Sequence, residues 1–270
     1  MDSDRLTRKR TIFEDYFSWL QMNVEVNKGW TLLEFGTGKD GFAKFYGEHV
    51  TQSIALDVQD YSSFHPGLKF IVSDGKSIPL PKESVDLVAS HSVLEHVDDP
   101  VRSVSEIARV LKHGGYAYLT VSPLYYSSTG SHVSHPELLH NWEHLDPGSK
   151  YHLLTNPISG KGTRLNQLTS AQMLEAVGHT ALDIIRFEVR PEHKVAPDWV
   201  VSSGLPLVDI FSKEFRLLAH KRTRITPKGA TQVAPHPYLF AAARRAIAHR
   251  RKAKNGKKPR SRGRSSGRVR

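Results

Sequence analysis

The chain has 270 residues, 39% of them hydrophobic, with no cysteine and a formal net charge of +11. That length allows one large domain or a domain with extensions, and the missing cysteine excludes disulfides, thiolate nucleophiles and cysteine-ligated metals. The charge is uneven: residues 215–270 hold 18 of the 38 Lys and Arg and none of the 27 acids, so residues 1–214 carry 20 basic groups against 27 acidic, a net of −7. Such asymmetry marks a mildly acidic folded part followed by a basic tail with its own behaviour. No apolar run approaches the ~18–20 residues that span a bilayer, and residues 1–5 lack the apolar region of a signal peptide, so a cytoplasmic protein is expected.

Residues 5–27 read as a helix, because Ile12, Phe13, Tyr16, Phe17, Leu20 and Val24 recur at three- and four-residue spacing. The aromatic stripe is expected to pack on a core, and a lid over a ligand is the second use open to it. A short apolar strand, residues 32–35, then runs into Glu34-Phe-Gly-Thr-Gly38, and an amphipathic helix over 42–49 follows. A backbone passing close to a ligand at a strand end needs glycine, since a Cβ would block the approach, and the helix start offers free N–H groups. Gly36-x-Gly38-x-x-Gly41 also satisfies the dinucleotide fingerprint, so the loop alone does not name its ligand. Further strands are expected at 53–58, at 69–74 ending in Asp74, at 85–91 and at 116–121, with a helix opened by Asp99 and Pro100 and closed by Lys112-His-Gly-Gly115. Strands alternating with helices imply a mostly parallel, doubly wound α/β sheet.

Residues 123–168, rich in His, Pro, Gly and Ser, break the rhythm as a functional excursion. A capped helix over 169–178 and β-like runs at 181–190 and 214–220 follow, with a second excursion between those runs. Residues 238–249 could form a basic helix, and residues 250–270 have almost nothing apolar to bury and should be disordered. The expected organisation is an N-terminal helical segment 1–28, a main domain 29–221 with its excursion at 123–168, and a basic, largely disordered tail 222–270.

Asp57 stands 19 positions after Gly38 at the end of the second strand, where a carboxylate can accept from both ribose hydroxyls; the bland alternative is an ordinary loop acid. Asp74 ends the third strand and can accept from an adenine amino group, although Asp is also a common turn former. His91 and His96 are candidate bases, with His96 and Glu95 more simply read as structural. His132, His135, His140, His144 and His152 lie in the excursion; no known ligand spacing joins them to Asp146, so no metal is expected. Tyr125, Tyr126, Trp142 and His144 are candidate linings of an acceptor pocket.

Glu34-Phe-Gly-Thr-Gly38, Asp57, Ser73-Asp-Gly75 followed by Ile78-Pro-Leu-Pro81 and Asp86-Leu-Val88, Ser92-Val-Leu-Glu-His-Val97, and Glu106 through Gly115 together resemble a class I S-adenosylmethionine-dependent methyltransferase, nearest in pattern to the type 11 methyltransferase domain family. The resemblance is strong over residues 30–122 and specific because separate segments occur in order. It implies a Rossmann-like doubly wound seven-stranded sheet, mostly parallel with a final antiparallel hairpin, and S-adenosyl-L-methionine as cofactor. It implies Glu34, Gly36 and Gly38 at the amino-acid end of that cofactor, Asp57 and Val58 beside the ribose and adenine, and Asp74 and Gly75 at the adenine edge. It implies that His91 faces the methionine portion and the acceptor, where it is the candidate catalytic base. The departure is Asp40, which stands where the family commonly has a third glycine, with Gly41 beside it.

The expected function is methyl transfer to a small-molecule, lipid or glycan-type acceptor. Two alternatives accompany it: an RNA-directed methyltransferase guided by the basic tail, and a non-catalytic cofactor-fold protein docking on a polyanion. No Asn-Pro-Pro-Tyr-like segment follows the fourth strand, where Ser90-His-Ser-Val93 stands instead, which argues against amino-directed nucleic-acid chemistry. The tail could contact nucleic acid or an anionic membrane; without interleaved aromatics its attraction is expected to be non-specific.

Overall fold

In the computed structural model the described residues are 3–132, 142–149, 152 and 165–223. The expectations for His135, for His140 and for the tail beyond residue 223 lie outside them. Residues Met1–Arg224 form one compact unit built on a seven-stranded sheet of order β3-β2-β1-β4-β5-β7-β6. The strands are β1 (Thr31–Phe35), β2 (Gln52–Asp57), β3 (Lys69–Val72), β4 (Val85–His91), β5 (Leu111–Val121), β6 (Leu182–Pro191) and β7 (Ser212–Lys221). Pairing is parallel from β3 through β5, while β7 lies antiparallel between β5 and β6. The carboxyl ends of β1, β2, β3, β4, β5 and β6 and the start of β7 therefore share one end of the sheet.

Helix α1 (Ser3–Gln21) is shifted from the expected 5–27. Val24 continues the apolar spacing and is buried, but it does so from the turn after the helix: burial, not helicity, carries the pattern there. Phe13, Phe17, Trp19 and Leu20 of α1 pack with Phe42, Phe45 and Tyr46 on one face of the sheet. The opposite face is covered by α3 (Pro100–Val110) and α4 (Ser170–Gly178), which share a core with Leu33, Leu56, Val88 and Leu119. Asp99 caps α3 by accepting from the Arg102 amide at 2.9 Å, and Thr169 with Gln172 forms a reciprocal capping box on α4.

Two expected boundaries differ. Helix α3 stops at Val110 and β5 begins at Leu111, well before Tyr116. Val85 pairs with Leu111 but Leu87 with Tyr116, so Lys112-His-Gly-Gly115 is a bulge within the strand and not a helix cap. The helix expected over 42–49 is only α2 (Ala43–Tyr46). Its shortness matters at the site below. Between β6 and β7 the chain makes two single-turn helices, α5 (Asp198–Val201) and α6 (Leu207–Ile210).

Candidate functional site

At the carboxyl ends of β1, β2 and β3 lies a cavity of about 340 Å³, lined by Phe35, Gly36, Gly38, Leu56, Asp57, Val58, Gln59, Tyr61, Ser73, Asp74, Gly75, Ser92, Val93, His96, Val97 and Asp98. The volume is that of a small-molecule site. Of the residues expected from sequence, Gly36, Gly38, Asp57, Val58, Asp74 and Gly75 are brought together here. Glu34 and His91 are not.

Asp57 is held as the loop's fixed acceptor. Its Oδ2 takes the Gly38 amide at 2.9 Å and its Oδ1 the Gln59 amide at 3.1 Å. A carboxylate has about four acceptor positions, so two remain for ligand hydroxyls. The loop is pinned from its other side by His65, whose Nε2–H donates to the Gly38 carbonyl at 2.7 Å. His65 is a contributor that sequence reasoning missed: it lies 27 residues from Gly38, in no local motif. The Gly36 and Thr37 amides both donate to Leu56 O, at 2.8 and 2.9 Å, which ties the loop to β2. Asp74 accepts from the Lys76 amide at 2.9 Å and stands 3.3 Å from its ammonium; the backbone hydrogen bond to Lys76, with the nearby charge, lowers its pKa. Val58, exposed beyond the end of β2, and Phe35, buried at the cavity floor, supply apolar faces.

Glu34 corrects the sequence reading. It is buried and does not line the cavity. Its Oε1 accepts from the Phe42 amide at 2.8 Å, and its Oε2 accepts from the Ala43 amide at 2.7 Å and from Thr37 Oγ1 at 2.5 Å. The N–H groups expected to be free at the helix start are thus spent on an internal carboxylate. Burial outweighs these three donors, and the carboxyl sits above its usual range. Glu34 frames the loop; it is not aimed at a ligand.

His91 is a second correction. Its ring stacks on Tyr16 with centroids 4.5 Å apart, meets Tyr118 and Phe42 edge-on, and shares a 2.8 Å hydrogen bond with Tyr46 Oη. This aromatic box lies under α1, and burial pushes the imidazole down to about 3. The stripe on α1 thus packs over His91 and leaves it half-buried. Nearby, Arg216 is buried, bridges Asp15 of α1 and Glu214 of β7 at 2.5 and 2.7 Å, and lies over Tyr16.

His96, read from sequence as structural, does line the cavity. It meets His132 edge-on at 5.0 Å, and burial lowers it to about 4. The adjoining Glu95 is buried and pushed up to about 8 by desolvation, so it is protonated at neutral pH. Asn166 holds this turn by donating from Nδ2 to Leu94 O at 2.6 Å and to Val97 O at 2.8 Å. In the excursion, Trp142 and His144 are buried and donate to Tyr126 O and Tyr125 O, at 2.9 and 2.7 Å. They form the core of a cap over the strand ends. Among the described residues, no group of three or more His, Asp or Glu is arranged to hold a metal.

The lining carries three carboxylates, Asp57, Asp74 and Asp98, and the Lys76 ammonium stands 3.3 Å from the second and 3.5 Å from the third. Three carboxylates against one ammonium leave the wall net negative, which favours a neutral or cationic nucleoside over a pyrophosphate. The sulfonium and ammonium groups of S-adenosylmethionine suit that balance of charge.

Comparison with known proteins agrees. Residues 33–119 match the family model described as a methyltransferase domain. An uncharacterized methyltransferase of Mycobacterium bovis is 32% identical over 111 residues, 38% of this chain and 43% of that relative; the match thus takes in less than half of the relative's length. Among solved structures, an S-adenosylmethionine-dependent methyltransferase from Mesorhizobium loti superimposes with a TM-score of 0.50 at 17% identity, covering 75% of this chain and 96% of its own. The (4+2)-cyclase SpnF does so at 0.50 and 16%, covering 76% and 79%. Likeness at this level establishes the fold, and the cyclase is a reminder that the fold alone does not name a reaction.

Proposed function

We propose, from the match of residues 33–119 to a methyltransferase-domain family model, that this protein transfers a methyl group from S-adenosylmethionine to a small-molecule, lipid or glycan-type acceptor. The observation that carries the reading is the net acidic lining of the cavity beside a glycine loop whose Gly36, Thr37 and Gly38 N–H groups are satisfied within the chain. When bound, the cofactor supplies an activated sulfonium methyl. The residues of the chain then have three tasks. Asp57, fixed by the Gly38 and Gln59 amides, holds the ribose hydroxyls. Asp74, Gly75 and Val58 receive the adenine, the carboxylate accepting from its amino group. The turn 92–97, braced by Asn166, closes the wall beside Gly36 and orients what lies there. Alignment and exclusion of water supply most of what methyl transfer requires. An acceptor that must lose a proton needs a base as well, and His96 is better placed for that than His91.

Calorimetric titration with S-adenosylmethionine and with NAD, on wild type and Asp57→Ala, tests the reading. Wild type should bind the first and not the second, and the substitution should weaken binding by at least tenfold, about 1.4 kcal/mol. Binding of NAD with no response to S-adenosylmethionine would overturn it.

A further inference from the structure

We infer that the outer face of the segment between β6 and β7 is a docking surface for an anionic lipid bilayer. The segment emerges at the same end of the sheet as the glycine loop, because β6 runs parallel to β5 and β7 starts there. Its inner side is fully committed. Ala196, Val200 and Ile210 are buried against Trp142 of the cap, with Leu205 packed beside them. Asp209 is buried and accepts from the Ser170 amide at 2.8 Å, and Glu192 takes the Ser128 hydroxyl at 2.6 Å. Helices α5 and α6 pack side by side.

With that side used, the outer side presents large apolar groups to solvent: Val195 is 92% exposed, Val208 58% and Leu207 51%, with Phe211, Trp199 and Val201 at 40–45%. Six such residues within 17 positions is more than the scattered exposure of an ordinary surface. They cannot fold inward, since the inner side of the same short helices is already packed. Trp and Phe among aliphatic residues are the composition of a surface that beds into the headgroup boundary.

The charge of the chain selects the kind of bilayer. Residues 223–270, beyond the end of β7, carry 15 Lys and Arg and no acid. One weak apolar contact gives marginal membrane binding, whereas an apolar contact joined to a polybasic segment gives stable attachment. The covalent link makes the second contact intramolecular, so the two reinforce each other. A bilayer with anionic headgroups is the partner that satisfies both features at once; RNA would satisfy only the charge. Docking in this orientation sets the strand ends toward the lipid. Taken together with the methyl-transfer reading, on which this step rests, it favours a bilayer-embedded acceptor.

The test is co-sedimentation of the full chain with phosphatidylcholine vesicles, with and without about 30% phosphatidylglycerol, at about 0.1 and 0.5 M NaCl. Wild type and the double variant Trp199→Ser/Phe211→Ser are compared, with circular dichroism confirming that both are folded. Wild type should bind the anionic vesicles, and the variant should lose about tenfold or more of its partitioning. At the higher salt, which screens the tail, wild type should keep a residual binding that the variant lacks. Brominated lipid should quench wild-type tryptophan emission more than that of Trp199→Phe. Equal partitioning of wild type and double variant, binding that salt abolishes equally in both, unchanged quenching in Trp199→Phe, or binding of RNA without binding of vesicles would each overturn the inference. The two readings fail separately: S-adenosylmethionine affinity is measured without vesicles, and it should be the same in the double variant as in wild type.

Discussion

Glu34→Gln separates a framing role from a ligand role. In the wild type one carboxylate satisfies the Phe42 amide, the Ala43 amide and the Thr37 hydroxyl. Glutamine keeps a single acceptor oxygen. Placed at Oε2 it still serves Ala43 and Thr37, but its amide nitrogen then faces the Phe42 N–H, donor against donor. A buried backbone group left unpaired costs about 1–3 kcal/mol. Relief of the burial that raises the Glu34 carboxyl offsets part of this, so a net loss of about 1–2 kcal/mol is expected. For a domain of this size that lowers Tm by about 2–8 °C. Thermal unfolding without ligand, followed by near-ultraviolet circular dichroism, measures it, and calorimetry gives S-adenosylmethionine affinity on the same samples. Affinity should fall only about threefold, through slight displacement of the loop, well under the 1.4 kcal/mol that a tenfold change represents. Glu34→Ala removes all three acceptors' worth of pairing and should cost about 3 kcal/mol or more. If Glu34→Gln left Tm within a degree and weakened the cofactor more than tenfold, the carboxylate would be a ligand and the framing argument would be wrong.

Gly75→Ala should cost both stability and cofactor binding: φ is +78°, and a Cβ would collide with Phe35 Cζ and stand 2.8 Å from its Cε2, on a ring too buried to retreat, so a loss of about 2–4 kcal/mol in urea denaturation is expected. Glu95 is held protonated up to about 8, above its unfolded value, so its contribution to stability is complete below the unfolded pKa and is lost as pH rises toward 8. His91 and His96, lowered to about 3 and about 4 by burial, act in the opposite direction, and their gain is complete above about 6.5, the unfolded histidine value. Between pH 7 and 8 Glu95 therefore contributes a falling slope of up to about 1.4 kcal/mol per pH unit, and Glu95→Gln should reduce it in chemical denaturation. Nuclear magnetic resonance of the imidazole protons should find no titration of His91 from pH 5 to 8; a midpoint near 6.5 would mean that the aromatic box under α1 opens in solution.

The fold was readable because its signals are redundant. Each of the first four strands is a short, largely apolar run, and three of them carry Glu34, Asp57 or Asp74 at or just beside the carboxyl end, where the chain turns over the sheet. Asp57, Asp74 and the paired glycines converge on one cavity because strand ends on one side of a parallel sheet must meet. What could not be read was the use of a side chain with two plausible partners. A carboxylate at the end of β1 looks the same in sequence whether it faces a ligand or the backbone beneath it. His91 ends β4 in the expected place, but its direction depends on Tyr16, 75 residues earlier in the chain, and on the packing of α1. Gly114 and Gly115 resemble a helix stop, and only the pairing of β4 with β5 reveals a bulge.

The literal dinucleotide spacing of the loop resolves into separate requirements. Gly36 is needed because its φ is +80° and a Cβ would collide with the methyl groups of Val93. Gly41 is needed because a Cβ there would collide with Thr37 Oγ1 and stand 2.7 Å from Glu34 Oε2, in the space where the internal carboxylate meets the start of α2. In a pyrophosphate site the ligand itself brings the negative charge to those N–H groups. Here the chain supplies it, from Glu34, before any ligand arrives. With Glu34 already on the Phe42 and Ala43 amides the loop has fewer backbone donors to offer a phosphate, and the cavity beyond it, with Asp57, Asp74 and Asp98 against the one ammonium of Lys76, disfavours one. Both features select against the same class of cofactor by independent means, so removing one of them, as in Glu34→Gln, should still not create an NAD site.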